Sequence, residues 1–106
     1  MKILLVCAAG MSTSLVVEKM KKALGPGEEH FVIIAEPVEK FKEIVKDFDV
    51  VMLGPQVRFK KSEFEKIAKA YGIPVDVINT TDYGLCRGDK ILKAAKELYE
   101  KNEKEE

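Results

Sequence analysis

Four short apolar runs, Ile3–Val6, Phe31–Ala35, Val50–Leu53 and Val75–Ile78, recur along this chain of 106 residues, separated by segments of helical period. Each run is rich in Val, Ile and Leu and nearly continuous. A strand with one wet face alternates apolar and polar residues. A continuous run indicates a strand covered on both faces, as in parallel sheets. Parallel strands cannot be joined by tight turns and require long crossovers, usually helices. Strand followed by helix, four times over, restricts the chain to an α/β domain with helices on both faces of a parallel sheet. The length suits one domain over residues 1–106, with no internal repeat or low-complexity tract.

The helical segments carry their own signals. Val16, Met20, Ala23 and Leu24 share one face of a helix expected over Thr13–Leu24, stopped by Gly25-Pro26-Gly27. A second helix is expected from Pro37, a residue favoured at the first helical position, with Val38, Phe41, Ile44, Val45 and Phe48 facing inward. Ser62 and Glu65 have capping-box spacing ahead of a third, faced by Phe64, Ile67, Ala68 and Tyr71 and ended by Gly72 and Pro74. The fourth starts near Gly88-Asp89, with Ile91, Leu92, Ala95, Leu98 and Tyr99 as its stripe. The charged tail Lys101–Glu106 is expected to fray.

Composition excludes several classes of function. Lys and Arg together number 18, as do Asp and Glu, so there is no basic surplus for nucleic acid. There is no Trp to build a stacking surface. Cys7 and Cys86 lie in different contexts and form no CxxC, which argues against a redox dithiol or a zinc ribbon. The single His30 has no neighbours at metal-ligand spacing and reads as a surface or structural residue. Lys2 followed by Ile3–Cys7 is too short for a secretion signal, and no run approaches a membrane span. A soluble cytoplasmic protein is expected.

In sheets of this kind ligands bind beyond the carboxyl ends of the strands. Cys7 stands at that end of the first strand, in Val6-Cys7-Ala8-Ala9-Gly10-Met11-Ser12-Thr13-Ser14. Gly54-Pro55-Gln56 follows the third strand and Asn79 to Tyr83 the fourth, so both loops share its edge. A helix N-terminus presents unpaired N–H groups and a partial positive charge, which suits a bound anion. The same field favours a thiolate, the nucleophilic form of cysteine. Gly10 lets successive backbone N–H groups turn toward one point, and three hydroxyl residues add donors or helix caps. A cysteine at such a strand end can be merely a small hydrophobe. Small residues, glycine and three consecutive hydroxyls in one turn favour a phosphate cradle around a nucleophile.

The segment Cys7 to Leu15 resembles the active-site segment of the IIB component of the bacterial phosphotransferase system, lactose/cellobiose/chitobiose family. Leu53-Gly54-Pro55-Gln56-Val57-Arg58 resembles that family's third-strand segment. Ile73 to Ile78 and Asp82-Tyr83-Gly84 resemble its last strand and following loop. The resemblance implies a three-layer, flavodoxin-like fold with a four-stranded parallel sheet in the order 2-1-3-4, as in low-molecular-weight phosphatases. It implies that Cys7 takes a phosphoryl group from a phosphohistidine of the IIA partner. The group would then pass to a sugar held by the membrane component IIC, a β-linked disaccharide such as cellobiose, chitobiose or lactose. Ala8, Ala9, Gly10, Met11, Ser12, Thr13 and Ser14 would bind phosphate mainly through backbone N–H groups. Gln56, Arg58, Asp82 and Tyr83 would be further site or partner contacts. No cofactor or metal is implied. Cys86 reads as packing, and Lys60 and Lys61 extend a basic patch suited to an acidic partner. The helices show no second apolar stripe, so the free carrier is expected to be a monomer.

Two rival readings share the fold. Low-molecular-weight tyrosine phosphatases and arsenate reductases place Arg six residues after the cysteine, where this chain has Thr13. Loss of one transition-state donor typically costs about 2.7–4 kcal/mol, so efficient hydrolysis is not expected. Asp82 would be the natural acid for such an enzyme, although a turn aspartate commonly only caps its neighbours. A regulatory module without phosphoryl chemistry is the other rival.

Overall fold

The computed structural model describes residues 1–8 and 11–105, and the side chains of 1–8 and 14–104. Strands β1 (Lys2–Cys7), β2 (Val32–Pro37), β3 (Val50–Leu53) and β4 (Val75–Val77) form one parallel sheet in the order β2-β1-β3-β4. Helices α1 (Met11–Lys22), α2 (Phe41–Ile44), α3 (Lys61–Lys69), α4 (Thr80–Gly84) and α5 (Gly88–Glu105) complete the expected three layers.

The apolar runs divide by alternation. Ile3 and Leu5 of β1 join Val50 and Met52 in a core closed by Val16 and Met20 of α1 and by Ile91, Leu92 and Ala95 of α5. Leu4 and Val6 join Val51 and Leu53 in the opposite core, closed by Phe41, Val45, Phe64 and Ala68. There Phe41 and Phe64 stack with ring centroids 3.9 Å apart and planes 5° from parallel.

Three expectations need correction. Pro37 does not start a helix: its ψ of 160° is extended, and it pairs with Cys7 as the last residue of β2. Beyond it the chain winds through a 3-10 turn at Val38–Lys40, the single α turn of α2, and another 3-10 turn at Val45–Asp47. Its valines and aromatics are modest helix formers, and packing on the sheet sets the winding. Ser62 does not cap α3, because winding begins at Pro55 in a 3-10 turn through Lys60 and Ser62 lies inside the helix. Tyr71 lies beyond α3 and is exposed. At the charged tail α5 runs on to Glu105, and Asn102 donates its amide to the Gly72 carbonyl at 3.0 Å. Gly72 does end α3 as expected. Its φ of +70° belongs to a glycine turn in which Ile73 N–H reaches Ala68 O at 3.1 Å and Gly72 N–H reaches Lys69 O at 3.0 Å.

The open edge of β4 is blunted by a side chain. Val51 N–H bonds to Pro74 O, and Ile78 N–H to Leu53 O, so the even residues of β4 face β3 and Val77 N–H points outward. Asp76 Oδ1 accepts that N–H at 2.8 Å and lies 3.4 Å from Lys61 Nζ, leaving less free backbone for a second strand.

Two contacts set where α5 lies. A Cβ on Gly88 would overlap the backbone of Lys19 and Met20, so the start of α5 touches α1 directly. Farther along, Lys96 Nζ donates to Glu28 Oε2 at 2.7 Å, while Glu28 Oε1 accepts Gly25 N–H at 2.8 Å. Gly88→Ala should therefore destabilise the fold by about 1–3 kcal/mol, the usual range for overpacking. Urea denaturation measures it, and a wild-type midpoint would show that α5 moves away freely. The bond from Gly25 N–H, and secondarily that from Lys96, holds the Glu28 carboxyl below its ordinary value of 4.5. A carboxyl lowered in the native state adds stability above its unfolded value, and that stability is lost as pH falls through the native one. Glu28→Gln should lower the melting temperature at neutral pH, and the gap should close as pH falls below 4.5. A gap that persists in acid would assign the effect to packing.

Candidate functional site at the carboxyl edge of the sheet

Cys7 is the last residue of the central strand β1 and is 1% exposed. Pro37 pairs with it on one side. On the other, Val6 pairs with Leu53, and Gly54 N–H donates to Val6 O at 2.8 Å, so Gly54 stands next to Cys7. Cys7 is therefore held by paired backbone on both flanks, while Ala8 is already exposed.

Helix α1 begins at Met11, four residues on. Its first turn contains no carboxylate and its last turn carries Lys19, Lys21 and Lys22. Both features complement the helix dipole, and the positive end is left uncompensated toward the carboxyl edge. Ala9 and Gly10 lie outside the described residues, as do the side chains of Met11, Ser12 and Thr13. Ser14 is exposed on the first turns of α1.

The structure brings Gln56 and Tyr83 together. Gln56 Nε2 donates to Tyr83 Oη at 3.0 Å, joining the segments that follow β3 and β4. Gln56 folds back over Gly54, where a Cβ would come within 2.5 Å of its Oε1. A side chain at Gly54 would displace that amide, while its φ of −61° is open to any residue. Asn79 caps α4, its Oδ1 accepting Asp82 N–H at 3.0 Å. Asp82 turns to Arg87, with Oδ1 3.5 Å from Nη1, and Arg87 N–H bonds to Asp82 O. Asp82 thus shapes the α4–α5 turn, as a turn aspartate does. Arg58 is exposed in the 3-10 turn after Gly54.

Cys86 packs against the core beneath α1 and α5, at a φ of +51°. His30 is exposed and meets Phe31 edge-on at 5.1 Å. Sequence reasoning missed the α4 cap, although Asn79-Thr80-Thr81-Asp82 is a recognisable helix start.

A groove of about 600 Å³ opens beside β4, between α3 and α5, lined in part by Lys61, Pro74, Asp76, Leu98 and Asn102. It contains no nucleophile and none of the residues expected at the site. Among the described residues no three His, Cys, Asp or Glu side chains converge on a metal position, and no helix is long and apolar enough to cross a membrane.

The profile of the family described as "PTS system, Lactose/Cellobiose specific IIB subunit" matches residues 2–94. The chain belongs to this family. It is similar to the galactose-specific and the cellobiose-specific EIIB components of Lactococcus lactis, each 46% identical over 101 residues. Each of those alignments covers 91% of this chain and 94% of the relative. The oligo-beta-mannoside-specific EIIB component of Bacillus subtilis is 44% identical over 97 residues, covering 92% and 94%. Among solved structures, the cellobiose-specific IIB protein of Borrelia burgdorferi superposes with a TM-score of 0.78 at 43% identity, covering 96% of this chain and 94% of that one. The lactose-specific IIB domain of Streptococcus pneumoniae shares the fold, with a TM-score of 0.82 at 22% identity over 93% and 97% of the two chains. The fold is thus that of IIB domains, with the sheet order expected from the resemblance. As a IIB component the chain is part of a sugar-specific phosphotransferase system, whose IIB components work with IIA and IIC partners.

Gln56 is the only glutamine in the chain, so its side-chain amide is a clean reporter of this edge. In 15N-labelled protein, Tyr83→Phe and Gly54→Ala should both shift that signal, by removing the acceptor and by displacing the amide. Unchanged spectra in both variants would show that the link does not hold in solution.

Proposed function

We propose that Cys7 is the phosphoryl relay of this IIB component. It receives the group from a phosphohistidine of IIA and passes it to a sugar bound by the membrane component IIC. The observation that carries this reading is the place of Cys7, anchored at the carboxyl end of the central strand and followed by a helix whose first turn has no carboxylate. The thiolate sulfur attacks phosphorus as the N–P bond to the donor histidine breaks, and that histidine keeps the electron pair. In the second step a sugar hydroxyl oxygen attacks the same phosphorus. The S–P bond breaks, the thiolate returns, and the hydroxyl proton leaves to solvent or to a base of the acceptor. Charge-assisted hydrogen bonds contribute about 1.5–3 kcal/mol each, so several N–H donors from Ala8 to Ser14 suffice to hold the dianion between steps. The basic residue of the phosphatases has no counterpart at Thr13, which favours storage over hydrolysis.

The chain acts as one cytoplasmic domain spanning residues 1–106 and needs no cofactor. Free of its partners it is a monomer. Its sugar is a β-linked disaccharide of the cellobiose, chitobiose or lactose type. Relatives at 44–46% identity are named for galactose, cellobiose and oligo-beta-mannoside, which fits a specificity set largely by the membrane component.

Intact mass spectrometry after incubation with phosphoenolpyruvate, the general phosphotransferase proteins and a IIA of this family tests the relay. Wild type should gain one phosphoryl group, and Cys7→Ser should gain none. Rapid hydrolysis of an aryl phosphate without uptake from IIA would establish the phosphatase reading instead.

A further inference from the structure

Among the described residues Phe59 is the most exposed of the large apolar side chains, at 74%, followed by Leu85 at 60% and Tyr71 at 54%. Single exposed hydrophobes are ordinary on protein surfaces. The position of Phe59 is not ordinary. It sits in the 3-10 turn Pro55–Lys60, which starts at the glycine beside Cys7. Five residues, with a kink at Val57, separate it from Gly54, so the two lie on the order of 10 Å apart. A standard protein interface covers about 800 Å² on each partner, a disc of roughly 16 Å radius. An interface of that size centred on Cys7 reaches as far as Phe59.

Arg58 lies next to Phe59 in the same turn and is exposed. Among the described residues it has no ion pair, whereas Lys60 and Lys61 are engaged by Glu63 at 3.7 Å and Asp76 at 3.4 Å. Aromatic residues and Arg are enriched in interface cores, and Lys is depleted there. Charge also separates the two partners. Before the first transfer the dianionic phosphoryl group lies on the donor, and afterwards on this chain. An unpaired guanidinium on the rim attracts the loaded donor while Cys7 is empty, and the phosphorylated cysteine weakens that attraction once it is charged.

We propose that Phe59 and Arg58 form the docking anchor for the phosphorylated donor protein. That protein presents an apolar recess for the ring, with its phosphoryl group or acidic side chains beside it. The proposal rests on Cys7 as the relay but is separable from it by experiment.

The rate of phosphoryl uptake is measured against the concentration of phosphorylated IIA for wild type, Phe59→Ala, Arg58→Ala and Tyr71→Ala. Melting temperatures confirm that each is folded. Phe59→Ala should raise the apparent KM about tenfold with the maximal rate within about twofold of wild type, as removal of an interface anchor does. Arg58→Ala should raise it severalfold at low salt and much less at high salt. Tyr71→Ala, also exposed but located just ahead of β4 at its opposite end, should match wild type. The proposal is overturned if Phe59→Ala matches wild type, or if it charges normally and fails only in passing the group to sugar through IIC-bearing vesicles. Absence of uptake by wild type would instead defeat the relay reading.

Discussion

Burial of β1 on both faces and both edges is the constraint on which the rest of the molecule depends. Ile3, Leu4, Leu5 and Val6 have no exposed surface, and each strand neighbour is fixed in register by backbone bonds. Successive residues feed opposite cores, so a shift by one residue would send every side chain to the wrong face. The position of Cys7 is inherited from this strand. Its backbone has no freedom apart from the sheet, and the loop that follows is delivered from a rigid base to the start of α1.

The layers are then locked by a few contacts outside the cores. Gly88 lets α5 rest against the backbone of α1, and Lys96 reaches across to Glu28 in the turn after α1. Asn102 joins the far end of α5 to the turn that closes α3, across the open side of the sheet. The two outer helical layers are thus connected to each other as well as to the strands. At the carboxyl edge, the Gln56–Tyr83 bond does the same for the segments after β3 and β4. Exposed apolar surface remains on that edge at Phe59 and Leu85.

Chemistry follows from what this edge contains and what it lacks. A buried strand end, a helix N-terminus without carboxylates and small residues between them suit a cysteine that holds a phosphoryl group. Transition-state stabilisation by a fixed guanidinium, the device of the related phosphatases, has no residue here at Thr13. A group transferred between protein partners needs a surface more than an enclosed cleft, and the groove beside β4 lies away from the cysteine.

Composition and spacing alone determined the α/β class, the four strands, the two-sided burial of β1 and β3 and Cys7 at a strand's carboxyl end, whereas the edge strand β2 leaves Ile34 exposed. All are local consequences of apolar periodicity and turn residues. Resemblance of short segments supplied the sheet order, which periodicity cannot, because the order depends on contacts between distant strands. Other features were decided only in three dimensions. Pro37 extends β2 because its partner is Cys7, a pairing invisible to local propensity. Ser62 loses its capping role because helical winding starts upstream at Pro55. Gly88 is required because the backbone of α1, once packed, leaves no room for a side chain there. The charged tail offered no packing signal in sequence, yet Asn102 finds a carbonyl on another element. In each case the deciding partner is more than one turn away along the chain or on a separate element, and pairing of that kind is settled by packing and backbone hydrogen bonds.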